Sequence, residues 1–98
     1  MALMRSRPWV AKQLGSASIS VLTNAGEAGG EYSRGDKARF YRYALRSATE
    51  TAAIIIFLAR RALITVAQEV AARRLLLKTI KTLTRMVVYF RRARGTRR

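Results

Sequence analysis

Apolar side chains recur at alternating steps of three and four residues in three successive segments of this 98-residue chain. In the third segment the stripe consists of Leu76, Ile80, Leu83, Val87 and Phe90. Residues at this spacing lie on one face of an α-helix, so each stripe predicts a helix that buries one side. The spacing therefore predicts an all-α fold of three long helices.

The first helix is expected at about residues 9–28. Pro8 precedes it, as is common in the first turn of a helix, and Gly29 and Gly30 end it. Its apolar stripe is Val10, Leu14, Ala17, Val21, Ala25 and Ala28.

The second helix is expected at about residues 37–62, because Ser33 or Asp36 can cap a helix that begins at residue 37. Its stripe is Phe40, Ala44, Ser47, Thr51, Ile54 and Leu58. Residues 53–58 are also apolar on every side, and a helix of this kind is buried on every side. In so short a chain this predicts a contact between subunits.

The third helix is expected at about residues 66–92. Neither Gly nor Pro separates it from the second helix, so one continuous rod over residues 37–92 is the alternative. Thr65 and Gln68 have the spacing of a reciprocal capping box, which favours a turn at about residues 62–65. The chain then divides into an N-terminal extension (residues 1–8), a helical bundle domain (9–92) and a basic tail (93–98).

The formal net charge of +15, from 20 Lys and Arg against 5 Asp and Glu, predicts an anionic partner. The chain has neither Cys nor His, which removes disulfides, thiolate or imidazole metal ligands and the usual nucleophile pairs. Its acidic residues are scattered, with no spacing typical of a carboxylate metal site or a glycosidase pair. We therefore expect a protein without enzymatic activity, catalytic residues, metal or cofactor.

A basic stripe lies opposite the apolar stripe of the third helix, and no acidic residue follows Glu69. The stripe consists of Arg74, Lys78, Lys81, Arg85 and Arg92. The spacing of its cations places them on one helical face. Like charges three or four residues apart oppose helix formation, so their retention favours binding of phosphates over a merely solvated face. The predicted nucleic-acid-binding residues of this helix and the tail are Arg73, Arg74, Lys78, Lys81, Arg85, Arg91, Arg92, Arg94, Arg97 and Arg98.

Two further sets of residues have a structural and a functional interpretation. Asn24, Glu27, Ser47 and Glu50 are predicted to form a buried hydrogen-bonded network, and the alternative is a polar binding site. The aromatic residues are expected mainly in the core, although each could stack on an exposed base. These are Trp9, Tyr32, Tyr41, Tyr43 and Tyr89.

The longest uncharged run of the second helix, residues 51–59, is much shorter than the ~20 residues that cross a bilayer. The first 26 residues contain Arg5, Arg7 and Lys12 and no acid, which is also typical of a mitochondrial transit peptide. We expect a cytoplasmic protein.

Two segments resemble the signatures of a bacterial four-helix bundle family. Residues 20–28 (SVLTNAGEA) resemble S-I-x-x-N-I-A-E-G, and residues 40–50 (FYRYALRSATE) resemble F-L-x-x-A-x-G-S-x-x-E. The family was first named for reading frames in intervening sequences of large-subunit ribosomal RNA genes. Residues 80–90 are also similar to its last helix.

The resemblance implies an antiparallel up-and-down helical bundle, commonly a homo-oligomeric ring of five subunits, without enzymatic activity. A basic branch of the family is the accessory protein of diversity-generating retroelements, which binds RNA or DNA and a reverse transcriptase. The chain departs from the pattern at three points. The family's long first helix is truncated to residues 1–7, and Ala28 and Arg46 stand where the signatures have glycine.

The sequence thus predicts a non-enzymatic oligomer that binds nucleic acid through phosphate contacts and has no small-molecule substrate. Two other classes remain open. One is a structural oligomer whose basic face docks an acidic protein, and the other is a cationic helix on an anionic membrane surface. RNA and DNA are not distinguished by the sequence.

Overall fold

The computed structural model describes residues 8–95, with side chains described through residue 92. These residues form three helices and no strand: α1 (Pro8–Gly30), α2 (Arg34–Arg60) and α3 (Val66–Gly95). The all-α prediction of three long helices is confirmed. No helix among the described residues is long and apolar enough to span a membrane.

The turn between α1 and α2 is fixed by hydrogen bonds at both helix ends. The Ser33 side chain accepts a hydrogen bond from the Asp36 N–H at 3.0 Å, so α2 begins at Arg34, three residues before the predicted start. The Lys37 ammonium donates to the carbonyls of Ala28 and Gly29 at 3.3 and 3.4 Å. A cation at this position satisfies the carbonyls that the end of α1 leaves unpaired.

The turn between α2 and α3 is a Schellman motif followed by a capping box. Ala62 has a positive φ of 55°, and the Leu63 N–H donates to the Leu58 carbonyl at 2.9 Å. The Thr65 N–H donates to Gln68 Oε1 at 2.8 Å, while the Gln68 N–H donates to Thr65 Oγ1 at 3.0 Å. The predicted capping box is therefore present, and the continuous rod is excluded.

The central helix α2 carries the core. One cluster joins Val10 of α1 to Ile55 and Leu58 of α2, with Leu76 of α3 packed against it. A second cluster joins Ala44 and Ala48 of α2 to Leu83 of α3, with Val21 and Ala25 of α1 at its edge. Both outer helices contact α2, but within the described residues no Cα of α1 approaches a Cα of α3 within 8 Å.

This arrangement leaves an elongated molecule with a thin core. The Cα atoms extend over 54 × 21 × 14 Å, and the radius of gyration is 15.7 Å. A compact domain of this length would have a radius of about 13 Å. Leu58 is the one large side chain among the described residues that is fully buried, because much of the core stripe of α2 consists of Ala, Ser and Thr.

Candidate nucleic-acid interface

The basic stripe of α3 is exposed along its whole described length. Arg74, Lys78, Lys81, Arg85 and Arg92 all lie on the solvent side, while Leu83 and Val87 of the same helix are buried. At a rise of 1.5 Å per residue the stripe extends over about 27 Å. Because α3 packs on α2 through the opposite side, these cations share one continuous surface.

The remaining predicted cations are arranged differently. The guanidinium of Arg73 donates to Glu69 at 3.2 Å, so part of its charge is compensated within α3. Arg91 is exposed and lines a shallow depression of about 320 Å³ with Val88 and Arg92. The predicted contacts at Arg94, Arg97 and Arg98 lie outside the described side chains.

Arg34 holds the C-terminal part of α3 against α2. Its guanidinium carbon lies 4.8 Å from the centre of the Tyr89 ring and 5.1 Å from that of Phe90. The Nε and Nη2 atoms of Arg34 are buried, with no hydrogen-bond partner among the described residues. The cationic group is thus held by aromatic faces, a contact that no sequence spacing indicated.

The aromatic residues divide into core and surface positions. Tyr41 stacks on Phe90 with ring centres 5.7 Å apart, and Tyr43 meets the ring of Phe40 edge-on. Tyr32 is 100% exposed in the turn between α1 and α2, and Trp9 is 64% exposed on α1. Trp9 and Tyr32 are therefore positioned for external stacking. Tyr41 and Tyr43 are half-buried, but Tyr89 is 58% exposed, so the expected core position is wrong for Trp9 and Tyr89.

The predicted polar network includes two of its four expected members. Ser20 Oγ lies 2.8 Å from Ser47 Oγ, and the Asn24 amide donates to Ser20 Oγ at 3.0 Å and to the Ser20 carbonyl at 2.9 Å. Glu27 and Glu50 are exposed, so their predicted burial is wrong. The hydroxyl of Ser20 makes the connection instead, because small groups fit where α1 meets α2 and long carboxylates point outward.

Glu50 lies at an open cleft between α1 and α2 that sequence reasoning missed. The cleft has a volume of about 390 Å³, and its walls include Trp9 and Gln13 of α1 and Phe57 of α2. The sequence signal was a single carboxylate beside an apolar run, in a helix otherwise rich in arginine. Among residues 8–92, the cleft included, no three acidic side chains lie close enough together to hold a metal ion.

Residues 4–87 match the sequence model of a protein family, which is described as 23S rRNA-intervening sequence protein. No curated protein and no solved structure matches the chain.

Proposed function

The chain belongs to the 23S rRNA-intervening sequence protein family, and we propose that it is a non-enzymatic protein that binds nucleic acid through the exposed basic stripe of α3. One observation carries the proposal. Five cations of one helical face are exposed together, and none of them pairs with a carboxylate among the described residues. Such a surface attracts a polyanion, and the family description refers to a 23S rRNA-intervening sequence.

The affinity should come from release of the counterions that surround the phosphates. Each neutralised phosphate contributes about 0.9 to the slope of log K against log salt on duplex, and about 0.7 on a single strand. Contacts to phosphates carry little sequence information, so binding should depend weakly on sequence. The salt slope therefore measures how many of the cations take part.

The test replaces Lys78, Lys81 and Arg85 by Gln. We expect the salt slope to fall by about two to three on either RNA or DNA, with helix content and oligomeric state unchanged. The matched control replaces three other exposed cations, Lys12, Arg39 and Arg42. Fluorescence anisotropy over a salt titration measures both. If the first variant binds like the parent at every salt concentration, the stripe is only a solvated face.

We further propose that the protein is a homo-oligomer built from antiparallel bundles, with a ring of five subunits as the arrangement that the family resemblance implies. The thin core supports association, since many large apolar side chains are left exposed. On α3 these are Val66, Val70, Leu75, Leu77, Val88 and Tyr89. In a ring, one basic stripe per subunit would raise the overall affinity through avidity.

A role as accessory to a reverse transcriptase rests on the resemblance to the basic branch of the family. The gene neighbourhood tests it, because a reverse transcriptase gene beside a variable repeat would support this role. A position inside a ribosomal RNA gene would argue against it. The acidic-protein alternative is tested by a pull-down with and without nuclease, and the membrane alternative by salt extraction from anionic liposomes.

A further inference from the structure

The cleft between α1 and α2 combines two aromatic walls with one carboxylate. Trp9 is 64% exposed and Phe57 is 43% exposed, so both rings present area to a ligand. Val10 and Ile54 provide further apolar lining, and Glu50 and Gln13 add polar groups. The volume of about 390 Å³ lies in the range of ordinary ligand sites.

Glu50 has no ion pair or hydrogen bond with another described residue. Arg46 lies one helical turn before Glu50, but its guanidinium carbon lies 5.9 Å from the centre of the Tyr43 ring instead of pairing with Glu50. A carboxylate beside apolar walls loses hydration when a ligand covers it, and this loss must be compensated by hydrogen-bond donors of the ligand. The ligand must therefore present donors to Glu50.

The charges around the cleft are positive. Arg46 and Arg60 lie seven residues before and after Ala53, at the same angular position on α2 and about 10 Å from it along the axis. The guanidinium carbon of Arg61 lies 5.8 Å from the centre of the Phe57 ring. These cations disfavour a positively charged ligand and attract an anionic one. The site thus fits a flat ring with donors on one edge and phosphates on both sides.

We propose that this cleft binds an unpaired guanine of a nucleic-acid strand, between Trp9 and Phe57, with Glu50 accepting from the base. Guanine is the one common base that presents two adjacent donors, N1–H and N2–H, on its Watson–Crick edge, and a carboxylate can accept both. Stacking on aromatic rings adds affinity and tolerates any base. Glu50 would therefore supply the selectivity. Arg46 and Arg60, about 21 Å apart along α2, would attract phosphates further along the strand on either side of the base.

This inference rests on the proposed function and adds a base preference to it, at a site separate from α3. Trp9 is the single tryptophan of the chain, so its fluorescence reports directly on the cleft. The probes are octauridylates that carry one central guanosine, inosine or adenosine. Inosine lacks the N2 amino group, so it retains one of the two donors.

We expect all three strands to bind through phosphate contacts, and the guanosine strand to bind about tenfold more tightly and to quench Trp9. Inosine should fall between guanosine and adenosine. Glu50→Gln should remove the guanosine advantage, because an amide replaces one acceptor with a donor. Glu27→Gln is the matched control, since Glu27 is an exposed carboxylate of α1 that does not line the cleft.

Equal affinity for the three strands, with normal salt-dependent binding, would overturn the guanine site and leave the proposed function intact. If no strand binds, the proposed function fails, and titration with guanosine monophosphate against adenosine monophosphate decides the cleft by itself. If a second copy of the chain covers the cleft, the fluorescence emission of Trp9 should shift when the protein is diluted and should not change when the guanosine strand is added. That result would also overturn the proposal.

Discussion

At the scale of single residues, the contact between α1 and α2 depends on hydroxyl and amide groups. Ser47 is buried, and its hydroxyl is paired with that of Ser20 at 2.8 Å. Asn24 completes the set from the next turn of α1. The alternating spacing predicted which helix faces meet, but it did not predict that Ser20 would join them. A short hydroxyl fits either the core or the surface, so its burial depends on the partner helix.

Asn24→Ala should lower the free energy of unfolding by about 1 kcal/mol, because two hydrogen bonds of its half-buried amide are lost. Glu27→Ala and Glu50→Ala should each change it by less than about 0.5 kcal/mol, since both carboxylates are exposed. Urea denaturation of the three variants measures the differences. An equally large loss in Glu50→Ala would show that this residue is buried by another subunit.

At the scale of elements, the three helices could be predicted from their capping residues and their apolar stripes. The starts of α2 and α3 could be predicted because a side chain caps each of them. Ser33 before α2 and Thr65 before α3 accept hydrogen bonds from N–H groups that the first helical turn leaves free. The end of α2 was harder to locate, because the left-handed residue of its Schellman motif is Ala62 where glycine is usual. The cleft could not be predicted either, since its walls come from two helices whose relative position depends on packing.

Ala62→Gly should raise the free energy of unfolding by about 1 kcal/mol. A side chain at positive φ is strained, and glycine adopts this conformation without that cost. Thermal and urea denaturation measure the gain, with Ala59→Gly inside α2 as the control that should destabilise. A loss of stability in Ala62→Gly would mean that the turn has another conformation in solution.

At the scale of the whole molecule, the flat arrangement of helices suggests that one chain does not complete its own core. The outer helices pack on α2 without approaching each other, and the apolar side chains of α3 divide between core and exposed positions. Leu77, which is 56% exposed, lies on the same side of α3 as Val70, seven residues before it. The sequence predicted a subunit contact through residues 53–58, but residues of that segment line the cleft between α1 and α2, and α3 offers a separate surface that leaves the cleft open.

Replacing both Val70 and Leu77 by Gln should shift the protein to a smaller species at micromolar concentration, because each Gln removes apolar area from the proposed contact. Tyr32→Gln is the control, since Tyr32 is fully exposed in a turn. Light scattering measures the mass of each variant. A parent protein that is monomeric at this concentration would rule out the oligomer and the gain in affinity from avidity.

The uncompensated charge of α3 gives the protein and its complex opposite responses to ionic strength. Arg74 and Lys78, like Lys81 and Arg85, repel each other across one turn, and the +15 charge opposes compaction. Added salt weakens both repulsive effects, because the Debye length falls to about 8 Å at 0.15 M. The same salt weakens attachment to phosphates. High salt, which releases the nucleic acid, should therefore also be the condition in which the free protein is most stable against unfolding.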